Sequence, residues 1–206
     1  MSIYDRYLLP HLLDLACNTK PVRYQRRKVV PQAHGRVLEI GMGSGLNLPY
    51  YNADNVEMIW GLEPSEGMRE KAQKNLAHSP LNVEWLDLPG EEIPLEDNSA
   101  DSIVLTFTLC TIPGWQQALE QMRRVLKPGG DLLFAEHGRA PDHKVRARQD
   151  RYNPTWKKFA GGCNMNRPIV EMISDSGFQI KQLDSAYLPS TPKVLGFNYW
   201  GRAVIR

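Results

Sequence analysis

The stretch Arg36-Val37-Leu38-Glu39-Ile40-Gly41-Met42-Gly43-Ser44-Gly45-Leu46 joins an apolar strand to a turn with glycine at every second position. Lacking Cβ, Gly41, Gly43 and Gly45 let the main chain take positive φ and approach a ligand more closely than other residues allow. A dinucleotide turn reads G-x-G-x-x-G and would need its last glycine at position 46, where this chain has Leu46. The spacing is wrong for a pyrophosphate cradle, so the turn reads as a contact for a different cofactor.

Outward from that turn, strands and helices alternate. Val56 to Glu63 is a second short apolar run ending in a carboxylate, and Leu81 to Leu86 is a third strand candidate. Between them Ser65 to Ala77 reads as a helix, with Ser65 as its N-cap and Met68, Ala72 and Leu76 along one face. The β-branched run Ser102 to Thr108 is the fourth strand, and a helix over Gln116 to Leu126 stops before a Lys127-Pro128-Gly129-Gly130 turn. That turn feeds a fifth strand, Asp131 to Glu136. A helix from Pro168 or Ile169 to Ser176 and strands over Phe178 to Tyr187 and Tyr199 to Ile205 complete the chain. Such alternation implies a parallel sheet covered on both faces. The charged stretch Gly138 to Gln149 reads as a helix or loop over the mouth of the site.

Upstream, Tyr4, Tyr7, Leu8, Leu12 and Leu15 recur at helical spacing and predict an amphipathic helix lying against the main domain. Arg23, Arg26, Arg27 and Lys28 follow and read as a solvated helix face rather than an anion or membrane site. Asp5, Arg6, His11 and Asp14 interrupt the apolar positions, which argues against a signal-peptide core or a membrane span.

A chain of 206 residues suits one domain with a full sheet-centred core, and a net charge of +2 does not by itself predict nucleic-acid binding. The three cysteines, Cys17, Cys110 and Cys163, are scattered and form no C-x-x-C pair. That pattern argues against a disulfide framework and against a thiolate zinc site, and fits a reducing, cytoplasmic compartment.

The E-x-G-x-G-x-G turn resembles motif I of class I S-adenosylmethionine (AdoMet) methyltransferases. Three further segments follow in family order. Leu88-Pro89-Gly90-Glu91-Glu92-Ile93-Pro94 is similar to "G-D-A-E-x-L-P" but carries Pro89 in place of the adenine-binding aspartate. Asp97 to Val104 resembles "D-x-S-F-D-x-V", and Arg124 to Gly130 matches "R-V-L-K-P-G-G". The resemblance implies a single Rossmann-like α/β domain over 36–206, preceded by a helical cap over 1–35. Its sheet would be seven-stranded and mostly parallel, with an antiparallel last strand. It also implies S-adenosyl-L-methionine as cofactor, held by Glu39, Gly41, Gly43, Gly45, Glu63, Pro64, Ser65, Gly90, Glu91 and Thr106. Glu63 lies about 20 residues beyond the turn, where a carboxylate can accept from both ribose hydroxyls.

The words Thr108 to Pro113, Glu136-His137, Gln149 to Trp156 and Gly161 to Arg167 resemble a subgroup of small bacterial methyltransferases related to alkyl thiol methyltransferases. That subgroup implies a small apolar acceptor, a thiol first, with Asn153, Trp156, Cys163, Asn164 and Arg167 around it; Tyr152, Trp156, Phe159 and Met165 read either as an apolar pocket lining or as core. His137 reads either as a general base, with Glu136 orienting it or touching the acceptor, or as strand-end packing. Cys110 and Cys163 read as packing rather than as ligands. The alternatives are N- or C-methylation of a phospholipid amine or quinone ring, a non-catalytic AdoMet-binding module, and an NAD-dependent reductase that the glycine spacing disfavours.

Overall fold

The computed structural model describes residues 9–206; Tyr4, Tyr7 and Leu8 of the predicted N-terminal helix lie outside them. Helices α1 (Leu9–Cys17) and α2 (Lys20–Val29) precede the sheet. Then come β1 (Gly35–Ile40), β2 (Val56–Leu62), α3 (Glu66–Leu76), β3 (Val83–Leu86), β4 (Ala100–Thr106), α4 (Trp115–Val125) and β5 (Leu126–His137). Helices α5 (His143–Phe159) and α6 (Ile169–Asp175), strand β6 (Phe178–Tyr187), the short α7 (Lys193–Gly196) and β7 (Phe197–Ile205) end the chain.

The seven strands run in the order 3-2-1-4-5-7-6, all parallel except β7, which is antiparallel to both neighbours. Strands buried on both faces carry continuous apolar runs, and side chains alternate between the faces. Leu38 and Ile40 of β1, Ile103 and Leu105 of β4, and Leu132 and Phe134 of β5 enter one core, beneath α4 and α6. Val37, Val104, Leu133 and Ala135 enter the other, which is closed by Val29, Val30 and Leu48. Helix α4 docks through Ala118, Leu119, Met122 and Val125, spaced as one helical stripe. The order reverses at β1, whose neighbours are β2 and β4, and in such sheets ligands bind beyond the carboxyl ends of the strands at that point.

Two expectations are corrected. The Lys127 to Gly130 segment is not a separate turn but part of β5: Leu126 pairs with Ala100 and Asp131 with Ser102, so the intervening residues bulge out of the ladder, with Gly129 at φ 82°. Arg124, just before, donates to the carbonyls of Ile93 and Leu95 and ties this bulge to the loop before β4. The second correction concerns α1, where Leu12 and Leu15 face outward (45% and 71% exposed) while Leu13, Asp14 and Cys17 line a cleft. Of the two readings of Gly138 to Gln149, helix or loop, the helix holds from His143 on, and α5 continues through the following motif to Phe159 with Pro154 inside it. Its buried Gln149 donates to the carbonyls of Gly138, Met165 and Val194 and accepts from the Ala140 N–H, fixing the segments that flank the helix. Among the described residues no helix is long and apolar enough to cross a membrane.

Candidate functional site

A cleft of about 470 Å³ opens at the carboxyl ends of β1, β2 and β4 and is roofed by α1. It adjoins a smaller cavity of about 230 Å³ through shared walls at Gly41, Glu63, Thr108 and Thr111.

The glycine turn forms the floor. The Gly41 N–H donates to the Leu62 carbonyl at 2.8 Å, which pins the turn to β2. Gly41 sits at φ 64°, and a Cβ there would lie 2.4 Å from the Thr108 methyl, so the turn and the loop after β4 close on each other only because that atom is absent. At Gly43 (φ 59°) an added Cβ meets nothing nearer than the Met68 terminal methyl at 3.2 Å, and the residue faces the cleft. Gly45 stands back from the cleft, where its missing side chain admits Leu48 and α3.

Glu63 stands between the two cavities. Its carboxylate accepts the Gly43 N–H and the Ser65 N–H, both at 2.9 Å, and burial raises its pKa against those bonds. A carboxylate offers about four acceptor positions, so capacity remains for two hydroxyls of a ligand. Ser65 lines the larger cavity, while Pro64, Gly90 and Glu91 line the smaller one. Glu91 also accepts from the Gly114 N–H at 2.8 Å, so Pro89 in the preceding motif leaves that loop still anchored.

Glu39 is not at the ligand surface. Fully sequestered, it accepts from Asn47 Nδ2 (2.9 Å) and the Tyr51 hydroxyl (2.7 Å), and burial raises its pKa to about 7. Its place is beneath the turn. The sign follows from that rise: the folded state holds the proton more tightly, so Glu39 favours folding fully below its unfolded pKa near 4.5, and this is lost as pH climbs through about 7. Glu39→Gln cannot ionise. Its unfolding free energy relative to the parent should therefore increase by on the order of 3 kcal/mol from pH 4.5 to 8. Urea unfolding across that range checks it; parallel curves for the two proteins would refute it.

Sequence reasoning missed Arg26, which it placed on a solvated face. The side chain is 5% exposed and its Nη1 donates to both Asn47 Oδ1 and Thr106 Oγ1 at 2.7 Å, while its Nε lacks a partner and the residue lines the cleft. The signal was available: Arg26 precedes Val29 and Val30 by three and four positions, on the stripe that α2 buries. Thr106 lines the same cleft, joined to Arg26 and to Asn47. Asp14, whose carboxylate accepts from the Ser44 hydroxyl, and Phe107 were missed as well. Phe107 takes φ 55°, a region costly for such a side chain, and it does so on the cleft wall.

Glu136 and His137 are neighbours on β5 and point to opposite faces. Glu136 does not orient the imidazole; its buried Oε1 accepts the N–H groups of Thr108 (2.7 Å) and Leu109 (3.0 Å). Burial raises its pKa to about 7 and its Oε2 has no partner. His137 instead meets Cys163, Nε2 to Sγ 3.2 Å. Burial opposes a charged imidazole there, but the Cys163 sulfur outweighs it and the histidine pKa is raised. Cys163 is lowered in turn, chiefly by the Cys110 thiol and then by His137.

The five residues expected around an acceptor come together, but as a bracket. Asn164 donates to the Cys110 carbonyl, Asn153 holds the Met165 N–H and Asn164 Oδ1, and Arg167 donates to the Leu109 carbonyl. Trp156 packs on Cys110 and Cys163. The bracket carries Gly161 which, with Thr111, lines the cleft. Tyr152 and Phe159 do not line a pocket wall with them; they are 52% and 66% exposed, and only Met165 is buried.

The profile of the methyltransferase-domain family matches residues 38–134. Thiol S-methyltransferase TMT1B of Homo sapiens is 30% identical over 184 residues, covering 84% of this chain and 75% of its own length. Demethylmenaquinone methyltransferase of Clavibacter sepedonicus is 30% identical over 126 residues, covering 61% and 51%. A SAM-dependent methyltransferase from Aquifex aeolicus superposes with a TM-score of 0.67 at 19% identity, covering 96% of this chain and 98% of that one. The glycine turn under an open cleft, with an acid beside it retaining acceptor capacity, fits S-adenosylmethionine, on which the Aquifex aeolicus methyltransferase depends. By sheet order and by relatives matched over most of both lengths, the chain belongs to the class I S-adenosylmethionine-dependent methyltransferases, enzymes of Rossmann-like fold.

Proposed function

We propose that this enzyme methylates the sulfur of a small, apolar thiol. The observation carrying the reading is the reach of the match: the human thiol S-methyltransferase aligns over 84% of the chain, the demethylmenaquinone enzyme over 61%. Chemistry supports it independently. The acids and bases by the cleft carry structural bonds: Asp14 holds the Ser44 hydroxyl, Glu63 two backbone N–H groups, Glu136 two more through Oε1, and His137 meets Cys163, so that of their buried atoms, among the described residues, only Glu136 Oε2 is without a partner. An alcohol acceptor would need a strong positioned base, whereas a thiol with a pKa of about 8.5 is already a few per cent thiolate near neutrality.

Bound in the cleft, S-adenosylmethionine supplies an electrophilic methyl on a sulfonium. The protein's task is then alignment, which can contribute about 7 to 11 kcal/mol toward such a displacement. In this reading Gly41, Gly43 and Ser65 offer backbone to the cofactor and Glu63 takes its ribose. Gly90, Glu91 and Pro64 flank the adenine, and Arg26 with Thr106 fixes the far wall. Glu39 and Gly45 support the turn without touching the ligand. The acceptor enters past Cys17, Phe107, Thr111 and Gly161, and its proton leaves to water.

The test is an incubation with methyl-labelled AdoMet and, separately, an alkyl thiol, phosphatidylethanolamine vesicles and a demethylated quinone. A labelled thioether is expected. Label in lipid or quinone with none in the thiol would overturn the reading.

A further inference from the structure

The three cysteines look unrelated along the chain, yet the fold carries two of them to one point. Cys110 comes from the loop after β4, His137 is the last residue of β5, and Cys163 lies in the loop between α5 and α6. Their sulfur, nitrogen and sulfur donor atoms all lie within 4.8 Å of one another, and Cys163 Sγ is 3.2 Å from His137 Nε2. Both cysteines are buried, at 2% and 8% exposure. Ligands of tetrahedral zinc, with Zn–S about 2.3 Å and Zn–N about 2.0 Å, stand roughly 3.5 to 3.8 Å apart. The donors are thus already close to coordinating separation.

We propose that Cys110, His137 and Cys163 form a three-ligand site for a zinc ion. Two sulfurs and an imidazole suit a borderline-soft ion and do not suit magnesium or calcium, which take oxygen donors. In the bound state both sulfurs are thiolates and the histidine is neutral and bonded through Nε2, and two protons leave the three ligands for solvent. The backbone is already set: Asn164 donates from both its N–H (2.9 Å) and its side chain (3.0 Å) to the Cys110 carbonyl, which holds the two cysteine loops together. A zinc ion here would pin the α5–α6 loop to the sheet end beside Thr111 and Gly161 of the cleft wall. Three protein ligands leave one tetrahedral position for water or another donor. Plain packing of two small apolar thiols is the competing account.

Fully reduced protein titrated with Co2+ decides between them, with calorimetric S-adenosylhomocysteine binding reporting that each variant is folded. Expected is one ion per chain with a thiolate-to-cobalt charge-transfer band, displaced by one equivalent of Zn2+. Cys110→Ser and Cys163→Ser should each weaken metal binding at least a hundredfold and diminish the band, while Cys17→Ser leaves both unchanged. Absence of the band in the parent protein would overturn the proposal. So would binding insensitive to both serine substitutions, or isolation of the two thiols as a metal-free Cys110–Cys163 disulfide. If neither serine variant folds, the parent spectrum decides, since a band from two bound thiolates supports the site and its absence refutes it.

Discussion

Glu63→Ala should weaken S-adenosylhomocysteine binding by about a hundredfold while leaving the protein folded. Hydrogen bonds to a charged group contribute about 1.5 to 3 kcal/mol each, and two ribose hydroxyls held by one carboxylate together supply about 3 kcal/mol, or two decades in Kd. The same carboxylate orders the turn by accepting the Gly43 and Ser65 N–H groups, so its loss also frees the backbone that faces the ligand. Those two N–H groups border the cleft and can turn to water, which keeps the cost in stability small. Glu63→Gln retains one acceptor oxygen and should fall between the two, near a tenfold loss. Isothermal titration calorimetry measures both; affinity within threefold of the parent for Glu63→Ala would remove Glu63 from the cofactor site.

Arg26→Leu should lower unfolding free energy by about 3 kcal/mol and cofactor affinity by at least tenfold. The guanidinium joins α2 to the segment after the glycine turn through Asn47 and to the end of β4 through Thr106, and it lies 5.5 Å from the Phe107 ring. Leucine fills much of the volume but supplies no donor: Thr106 Oγ1 still accepts from Asn47, but the buried Asn47 Oδ1 is left unsatisfied, at a cost of about 1 to 3 kcal/mol, and the tie from α2 to β4 is lost. Asn47 also donates to Glu39, so the disturbance passes to the support of the turn. Arg26→Lys keeps the charge without the fork and should recover only part of the loss. Urea unfolding gives the first quantity and calorimetry the second. A change below about 0.5 kcal/mol would show that Arg26 is not a structural hub.

The sheet was legible because parallel strands buried on both faces read as apolar runs, and β1, β2, β4 and β6 begin and end within about two residues of their apparent limits. The Pro128-Gly129-Gly130 segment misled because a bulge uses the residues of a turn while the strand continues through it. The full extent of α5 was obscured by Pro154 and by a nearly continuous polar sequence; it is held by the buried Gln149, whose partners lie in three other segments, together with Val145, Asn153 and Trp156. Within the site, the glycine turn and Glu63 are local in sequence and so could be read. Arg26 reaches Thr106 across 80 positions, and Cys163 meets His137 through the placement of an entire helix. Contacts of that kind arise from sheet topology, which composition and spacing do not encode.

The pH dependence of methyl transfer, measured as kcat/KM with a series of alkyl thiols of graded acidity, tests most directly whether a thiol reacts here without a base from the protein. The rising limb should move with the ionisation of each acceptor, shifting to lower pH as the thiol becomes more acidic. A limb fixed at one pH for every thiol would mean that a group of the enzyme removes the proton, and would contradict this account.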